Sequence, residues 1–421
     1  MSNPRIFLSA GEASGDHYGA QVIAALRTSV PDAAFFGLGG REMEDAGLDR
    51  VVRAEDVAHM GITEVIRHMP RVWGSYRRLV ASIKEQRPHA AVLIDFPDVN
   101  LRLARELKAL GIPVIYFVSP QLWAWKRRRL QWVQERVDRM MVIFPFEEPF
   151  YRARGVNATF VGHPLIELPL PEISREAYAA RHKIDPARPW VALLPGSRGK
   201  EVRSNLPTML DAAAQISPNG GIEFLLPVAS TLDSAWVREQ TAAWSTPEAG
   251  KSAPRLSNLH LVEDAREALF HARASVVASG TATVQAATIG NPFVVVYRVS
   301  PLTFAAAKKL IRYPAEIPAI PDAHGNLPIG MVNLIAERRI VTELIQQQFT
   351  ADNLATALRR LLDDSSERSQ MIADLADVRR KLLSPSRSGA ISQVAEAVLE
   401  QLSAEFGATQ TAGGRNSVPS V

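Results

Sequence analysis

The turn at residues 194–201 carries residue types that suit the binding of a diphosphate. Arg198 can form a forked contact to phosphate, and backbone N–H groups around Gly196 and Gly199 can point at an oxyanion. The spacing is not that of a Walker-type P-loop, which needs a lysine followed by Ser or Thr. A solvent-exposed basic loop is the alternative. The position of the turn after an apolar run favours the phosphate interpretation.

A second turn of the same half, residues 278–285, suits an anion without any basic residue. Ser279, Gly280 and Thr281 open a predicted helix, and N–H groups and hydroxyls at a helix start bind anions. Thr281 and Gln285 are four residues apart and share one helix face, so one can meet phosphate and the other a ribose hydroxyl. A plain Ser or Thr cap is the alternative. The two turns together favour phosphate binding more than either does alone.

Two carboxylates lie in the first half at residues 95–100, again after an apolar run. A sugar hydroxyl is a poor nucleophile, and a placed carboxylate can remove its proton. Asp98 is the candidate for this role, although capping the following helix is an equally common task for aspartate. Asp95, at the end of the strand, is predicted to be more buried and structural. No histidine lies nearby, so the pair does not predict a metal site.

The first turn of the chain, residues 11–16, contains two glycines that let the backbone bend close to a ligand. Glu12 and Asp16 are anionic, which argues against a dinucleotide phosphate at this turn. The spacing is also not Gly-x-Gly-x-x-Gly, which disfavours a nicotinamide enzyme. Two interpretations stay open: a tight turn in which Ser14 or Asp16 caps the helix, or a turn that lines a substrate.

Residues 123–132 combine three tryptophans with four consecutive basic residues at 126–129. Aromatic rings beside Lys and Arg suit a membrane interface. A buried tryptophan pair beside a solvated basic helix is an equal alternative. Nucleic acid is a weaker interpretation, because one basic patch in a chain of nearly balanced charge says little.

These turns need a scaffold that presents them, and the apolar runs predict one. Short runs rich in Val, Ile, Leu and Phe alternate with amphipathic stretches, which is typical of a doubly wound parallel α/β sheet. Ligands of such sheets bind beyond the carboxyl ends of the strands. The predicted strands lie at 5–10, 34–38, 90–95, 114–118, 140–143, 158–161, 190–194, 222–226, 259–262, 275–278 and 293–297. The main predicted helices lie at 17–29, 63–85, 101–110, 351–362 and 388–405.

A proline-rich stretch at 162–171 separates the two halves, because proline cannot continue a strand ladder. We therefore predict two Rossmann-like domains that face one cleft, at residues 1–165 and 172–385. A C-terminal helix at 386–407 is expected to pack back on the first domain. The small, polar stretch at 408–421 is expected to be disordered.

The composition agrees with a globular protein of more than one core. The chain has 421 residues, of which 47% are hydrophobic and 22% charged. It has no cysteine, which excludes disulfides and thiolate metal sites. No apolar run approaches the ~20 residues that span a bilayer, and the N-terminus lacks the features of a secretory signal. The net charge of +4 gives a mild preference for anionic partners.

Seven segments, in this order along the chain, closely resemble the lipid-A-disaccharide synthase family. The block Ser-Pro-x-x-Trp-Ala-Trp at 119–125 is known to us from no other family, and the joint occurrence of all seven is highly specific. The resemblance extends from about Arg5 to the last helix. The segments are residues 11–16, 60–61, 94–100, 118–125, 161–164, 194–198 and 279–283.

The resemblance implies two Rossmann-like domains of the glycosyltransferase B type. It implies an inverting hexosyltransferase that joins UDP-2,3-diacylglucosamine to 2,3-diacylglucosamine 1-phosphate (lipid X), giving a β-1,6-linked disaccharide 1-phosphate and UDP. The first domain would then serve the acceptor and the second the UDP-sugar. The family requires no metal or cofactor, and nucleic acid is not among its partners. It works at the cytoplasmic face of the inner membrane of Gram-negative bacteria, as a peripheral enzyme.

Carried over residue by residue, the resemblance makes Asp98 the general base. The donor-side residues would be Gly196, Ser197, Arg198, Ser279, Gly280, Thr281, Gln285, Asn333 and Glu343. The acceptor-side residues would be Glu12, Ser14, Asp16, Ser119, Trp123 and Trp125.

Two departures from the family pattern matter. Gln285 stands where the family usually has glutamate; an amide can still accept and donate, so weaker donor binding is expected rather than loss of function. The stretch at 313–332 is longer and richer in proline than the family's, before Asn333. A UDP-sugar 2-epimerase on the same scaffold and a catalytically silent nucleotide-sugar or lipid-binding protein are the alternatives. The Trp-Ala-Trp and basic block at 123–129 argues against the first, because an epimerase needs neither an acylated acceptor nor a membrane patch. Retained Asp98 and Arg198 argue against the second, to which Gln285 gives a little weight.

Overall fold

The protein is described by a computed structural model that covers residues 3–58, 62–246 and 255–413; the side chains of residues 57–58, 62–71 and 405–413 are outside the description. Its strands within these ranges form two parallel sheets. The strands of the first sheet are β1 (Arg5–Ala10), β2 (Ala34–Gly39), β3 (Leu48–Arg53), β4 (Ala90–Ile94), β5 (Val114–Phe117), β6 (Arg139–Val142) and β7 (Ala158–Phe160). Those of the second are β8 (Trp190–Leu194), β9 (Glu223–Pro227), β10 (Leu259–Val262), β11 (Ala274–Ala278), β12 (Phe293–Tyr297) and β13 (Glu343–Ile345).

Helices connect the strands. Those up to the end of the first sheet are α1 (Ala13–Ser29), α2 (Arg41–Asp45), α3 (Glu55–Ala58), α4 (Ile62–Gln86), α5 (Pro97–Ala109), α6 (Leu130–Arg136) and α7 (Glu147–Arg152). Those that follow are α8 (Arg175–His182), α9 (Gly199–Ile216), α10 (Ser234–Ser245), α11 (Ala265–His271), α12 (Thr281–Ile289), α13 (Pro301–Leu310), α14 (Met331–Ala336), α15 (Ala351–Leu362), α16 (Ser366–Lys381) and α17 (Ala390–Gly413). Short 3-10 helices lie at Arg127–Arg129, Pro164–Ile166 and Gln346–Gln348.

The two sheets have the same doubly wound topology. The first has the order β3-β2-β1-β4-β5-β6-β7 and the second β10-β9-β8-β11-β12-β13. Every residue of β4, β8 and β11 is buried, as expected of parallel strands covered by helices on both faces. The strand order reverses between β1 and β4 in one sheet and between β8 and β11 in the other. Such a reversal opens a crevice at the carboxyl ends, where ligands of this fold bind.

The two-domain α/β fold predicted from the sequence is confirmed. Four predicted strands have the observed bounds, namely β1, β8, β10 and β12, and the other seven agree within one residue at each end. Strands β3 and β13 were not predicted. The first is an edge strand in which only Leu48 and Val52 are buried, and the second has three residues and begins with a carboxylate. Neither has the continuous apolar run of a central strand.

The chain divides into two compact units: Met1–Pro164 with Leu383–Val421, and Leu165–Leu382. Helix α17 belongs to the first unit and packs on α1, β4 and β5. Arg139 Nη1 lies 2.7 Å from Glu400 Oε2 and links β6 to this helix. The helix runs to Gly413, beyond the predicted end at residue 405, so residues 408–413 are helical where disorder was predicted. The predicted tail at 414–421 and the segment Met60-Gly61 lie outside the described residues.

Candidate active site

The four predicted turns lie in pairs at the reversal points of the two sheets. Residues 11–16 follow β1 and residues 95–100 follow β4, which flank the first reversal. Residues 195–201 follow β8 and residues 279–283 follow β11, which flank the second. The structure thus brings the acidic turns together in one unit and the phosphate-type turns together in the other.

Glu201 shapes the turn after β8. Its Oε2 accepts hydrogen bonds from the backbone N–H groups of Ser197 (3.1 Å) and Arg198 (3.3 Å). These amides were predicted to point at a ligand oxyanion, and the carboxylate occupies them instead. Gly196 has φ +122°, and a Cβ there would lie 2.4 Å from Glu201 Oε2, so this glycine makes room for the carboxylate. The prediction that the amides near Gly196 are open to a ligand is corrected accordingly.

The Arg198 side chain nevertheless extends into solvent. It is 71% exposed, and its Nη1 lies 3.7 Å from Glu201 Oε1. The backbone that carries it is fixed, because Asn205 Nδ2 donates to Pro195 O (2.9 Å) and Thr231 Oγ1 donates to Ser197 O (2.6 Å). An accessible guanidinium on a fixed turn is suited to a phosphate contact.

The turn after β11 presents a helix start that no side chain caps. Gly280 is the N-cap of α12 with φ +153°, a conformation that side chains rarely adopt. The alternative that Ser279 or Thr281 caps this helix is therefore wrong. Thr283 Oγ1 donates backwards to Gly280 O at 2.8 Å and is buried. Thr281 is exposed and Gln285 is half-buried. Backbone amides at such a helix start favour an anion.

Asn333 and Glu343 form an internal network. Glu343 Oε1 accepts from Gly330 N (2.8 Å) and from Asn333 Nδ2 (2.9 Å), and Oε2 accepts from Arg339 Nη1 (2.9 Å). Asn333 Oδ1 accepts from the backbone N–H of Ile340 at 2.8 Å. Both side chains are buried. The sequence assigned Asn333 and Glu343 to the donor. Their polar atoms hold the loop before α14, and the assignment to the donor stays a prediction.

The turn after β1 likewise has an internal carboxylate. Asp16 is buried and accepts hydrogen bonds from the backbone N–H groups of Gly40 (2.7 Å) and Glu42 (3.0 Å), so it caps the neighbouring helix α2. The alternative that Asp16 caps α1 is therefore wrong, and its assignment to the acceptor side stays a prediction. Ser14 does not cap α1 either, whose N-cap is Glu12 without a side-chain bond. Glu12 and Ser14 are exposed.

Asp95 and Phe96 have left-handed backbones at the end of β4, with φ +45° and +47°. The Asp95 carbonyl is held by Tyr116 Oη (2.6 Å) and by Asn100 Nδ2 (2.8 Å). Burial, and secondly the charge of Glu12, raise the pKa of the Asp95 carboxyl to about 6. Asp95 is the more buried acid of the pair, as the sequence predicted.

Asp98 lies in the first turn of α5, with 65% of its side chain exposed. Phe96 is the N-cap of this helix and no side chain caps it, so the alternative that Asp98 caps the helix is wrong. Asp98 Oδ1 pairs with Arg129 Nη2 and lies 4.0 Å from Lys126 Nζ. The structure thus joins the candidate base to the basic block that follows β5.

The two tryptophans at the start of that block have different environments. Trp123 is 1% exposed and its indole Nε1 donates to Glu147 Oε1 at 3.1 Å. Ser119 is also buried, and its Oγ donates to the same oxygen at 2.7 Å. For Trp123 these contacts favour the alternative of a buried tryptophan over a membrane contact, and the assignment of Ser119 and Trp123 to the acceptor side stays a prediction. Trp125 is 47% exposed, with Lys126 Nζ 4.3 Å from its ring centroid.

Glu147 is the residue of this region that sequence reasoning missed. Its Oε2 accepts from Phe144 N at 3.1 Å, so one carboxyl group ties the loop after β5 to the start of α7. Burial raises the pKa of the Glu147 carboxyl to about 7. An acidic residue shortly after a predicted strand was the available signal, but the neighbouring Glu148 made it look like a solvated helix start.

Two further observations concern the described residues alone. They contain no group of three or more His, Asp or Glu side chains arranged to hold a metal ion. None of their helices is both long and apolar enough to cross a bilayer.

Solved structures with the same fold define the class. The chain is similar to the calicheamicin glycosyltransferase, with a TM-score of 0.58, 16% identity and coverage of 96% and 100% of the two chains. It is similar to UDP-GlcNAc 2-epimerase from Neisseria meningitidis bound to UDP-GlcNAc, with a TM-score of 0.57, 10% identity and coverage of 94% and 99%. The fold is that of the glycosyltransferase B type, which these two kinds of enzyme share.

Sequence comparison identifies the family within that class. Residues 6–398 match the family model described as lipid-A-disaccharide synthetase. The lipid-A-disaccharide synthase of Acidobacterium capsulatum is 54% identical over 95% of this chain and 97% of its own length. That of Koribacter versatilis is 47% identical over 94% and 98%. The chain belongs to the lipid-A-disaccharide synthetase family, as the resemblance of the seven segments implied.

Proposed function

We propose that this protein joins UDP-2,3-diacylglucosamine to 2,3-diacylglucosamine 1-phosphate, and that it releases UDP and a β-1,6-linked lipid A disaccharide 1-phosphate. The observation that carries the proposal is the family match over residues 6–398. The curated relatives, which bear the name lipid-A-disaccharide synthase, support the same activity. Likeness of fold alone would leave a UDP-GlcNAc 2-epimerase equally possible, and the family match disfavours it.

The second unit is proposed to bind the diphosphate of the donor. Arg198 would contact it through its exposed guanidinium, while Ser279, Gly280 and Thr281 would offer the uncapped start of α12. A guanidinium and a helix start together neutralise developing charge on the leaving UDP without a metal ion. Gln285, one helical turn beyond Thr281, would meet the ribose.

Asp98 in the first unit is proposed to act as the general base. It would accept the proton of the acceptor 6-hydroxyl while that oxygen bonds to the anomeric carbon and the bond to UDP breaks. Attack on the face opposite UDP inverts the anomeric configuration in one step. The ion pair with Arg129 supports this role because it holds the exposed carboxylate in one orientation at the end of β4. Glu12, Ser14 and Trp125, all exposed, would line the acceptor side.

The proposed location is the cytoplasmic face of the inner membrane of a Gram-negative bacterium, with peripheral contact. Both proposed substrates carry two acyl chains, and each buried methylene contributes about 0.8 kcal/mol to membrane partitioning. The substrates therefore stay in a lipid surface, and the enzyme must reach them there. Nucleic acid is not a proposed partner.

The test is to mix the purified protein with both acylated sugars and to measure UDP release and the disaccharide product. The expected result is stoichiometric UDP and disaccharide, an inverted anomeric centre by NMR, and unchanged turnover in EDTA. Epimerised donor without disaccharide would favour the isomerase. Binding of UDP-sugar without turnover would favour a catalytically silent binding protein. Loss of turnover in EDTA, with recovery in magnesium, would contradict the metal-free mechanism.

A further inference from the structure

The large apolar side chains with the greatest exposure in the described residues lie in one stretch. Leu302 is 83% exposed, Ile320 71% and Leu310 70%, whereas the next, Leu383, is 51% exposed. Single exposed apolar residues are ordinary on a protein surface, but three in 19 consecutive residues form a patch. We call the stretch 302–320 the apolar-basic surface.

Helix α13 forms the first part of this surface and has no buried residue. Leu302, Ala306 and Leu310 are each four residues apart and exposed, so they form one outward ridge. Phe304 and Ala307 are half-buried and face the rest of the unit. The apolar ridge therefore faces solvent although the helix has an inward face as well.

The loop after α13 is held against the helix. Lys308 Nζ donates to His324 O at 3.2 Å, and Tyr313 Oη donates to Pro328 O at 2.7 Å. Asp322 Oδ1 accepts from the backbone N–H groups of His324 and Asn326, both at 2.8 Å. This loop is the proline-rich stretch at 313–332. Its Ile320 thus lies in a loop that is hydrogen-bonded back to the helix.

The exposed charged side chains of the surface are all basic, and Glu316, the one acidic residue within 302–320, is half-buried. No acidic residue occurs between Val299 and Ala315, while Lys308, Lys309 and Arg312 do. Lys309 lies on the outward side of α13, between the apolar residues of the ridge. Basic side chains that flank an exposed apolar ridge are typical of helices that lie in a membrane interface, where long side chains reach the lipid phosphates.

We propose that the apolar-basic surface docks on an anionic lipid bilayer, with Leu302, Leu310 and Ile320 entering the acyl boundary and Lys309 and Arg312 meeting lipid phosphates. A second copy of the chain is a poorer occupant, because symmetric pairing would bring the basic residues of both copies together. The surface lies in the second unit and is separate from residues 123–132. The inference rests on the proposed function only in one respect, namely that acylated substrates would require the protein to bind a membrane.

The test is cosedimentation of the full chain with vesicles of phosphatidylglycerol and phosphatidylcholine, or of phosphatidylcholine alone. The double variant Leu302→Ser/Leu310→Ser is expected to lower the ratio of bound to free protein at least tenfold. The matched control Ile372→Ser/Leu383→Ser, which removes two exposed apolar side chains elsewhere, is expected to stay within twofold of the wild type. Lys309→Gln/Arg312→Gln should weaken binding to anionic vesicles only, and should reduce its dependence on salt.

Wild-type binding by the ridge variant, with an unchanged thermal unfolding midpoint, overturns the proposal. The proposal is also overturned if the wild-type chain does not cosediment with anionic vesicles. A ridge variant that changes the sedimentation coefficient in the absence of lipid, and keeps its vesicle binding, would identify an interface between copies instead. UDP release by the wild type from substrates in detergent micelles is measured separately. Its absence counts against the proposed function and leaves the vesicle result to decide the docking surface.

Discussion

The reversal points of the two sheets have the same topology and opposite chemistry. In the first unit, the turns after β1 and β4 carry Glu12, Asp95 and Asp98. In the second, the equivalent turns after β8 and β11 carry Arg198 and the uncapped start of α12. We propose that the first crevice accepts a proton and that the second neutralises a diphosphate. The topology therefore fixes where a ligand binds, and the few residues after the strands decide which ligand.

The backbones of the two regions also differ. In the second unit the left-handed positions of the turns are glycines, at Gly196 and Gly280. In the first unit Asp95, Phe96 and Val118 hold left-handed conformations, which cost of order 1–3 kcal/mol each. The surroundings maintain this strain, since the Asp95 carbonyl is bonded twice and the Phe96 ring fills the space where a side chain at position 11 would lie.

The largest expected effect concerns the acidic crevice of the first unit, formed by the turns after β1 and β4. Asp98→Asn keeps the shape of the side chain and removes its basicity, so we expect kcat to fall by ~10²–10⁴-fold with donor affinity nearly unchanged. Steady-state turnover and UDP titration measure the two quantities. Asp377→Asn is the matched control, because Asp377 is also an exposed carboxylate paired with an arginine. An Asp98→Asn enzyme with full turnover would remove Asp98 from the mechanism.

The next effect concerns the basic crevice. Arg198→Ala should weaken UDP binding by a factor of about ten to a hundred, because a charge-assisted contact contributes roughly 1.5–3 kcal/mol. Isothermal titration with UDP measures the loss. Arg203→Ala, on the exposed side of the same helix, should bind UDP as the wild type does. Equal losses in both variants would indicate a general electrostatic effect rather than a contact to phosphate.

A smaller effect is expected at Gln285. Glutamate at this position can accept hydrogen bonds from both ribose hydroxyls, whereas the amide offers one acceptor and one donor group. Gln285→Glu should therefore strengthen UDP binding by a few-fold. The same substitution should leave the affinity for 2′-deoxy-UDP closer to that of the wild type. Weaker binding of UDP by the variant would place Gln285 away from the ribose, or too close to the diphosphate.

Sequence reasoning located the turns better than it described their side chains. The strand pattern predicts which turns follow buried strands, because parallel central strands are continuous apolar runs. It cannot show that Asp16 points to α2, or that Glu201 and Glu343 turn back onto backbone amides. Those contacts are formed by tertiary packing. The sequence alone therefore cannot distinguish a carboxylate that binds a ligand from one that accepts hydrogen bonds from a loop. Trp123 illustrates the same limit, since Glu147, which accepts the hydrogen bond of its buried indole, lies 24 residues along the chain.

The smallest effect on turnover is expected at two buried carboxyl groups, Glu147 in the first unit and Glu343 in the second. Their hydrogen-bond partners also differ most sharply between the units. Glu343 in the second unit is paired with Arg339. Glu147 in the first unit is bonded by a hydroxyl, an indole and an amide, all neutral donors. Burial raises the pKa of Glu147 from 4.5 to about 7, so the folded state binds more protons than the unfolded state between these values.

The unfolding free energy should therefore decline as the pH rises from about 4.5 to about 7, and then level off, with Glu147 contributing on the order of 3 kcal/mol to the decline. Glu147→Gln cannot ionise, so its unfolding free energy should decline less over that range, although its amide opposes the Phe144 N–H and lowers the stability at pH 5. Urea unfolding at pH 5, 6, 7 and 8 measures the slopes, with the exposed Glu135→Gln as the control. Parallel slopes for Glu147→Gln and the wild type would mean that Glu147 is ionised throughout, and that its three hydrogen bonds outweigh its burial. The loop at 119–125 would then be held by a charge, as the loop before α14 is in the second unit.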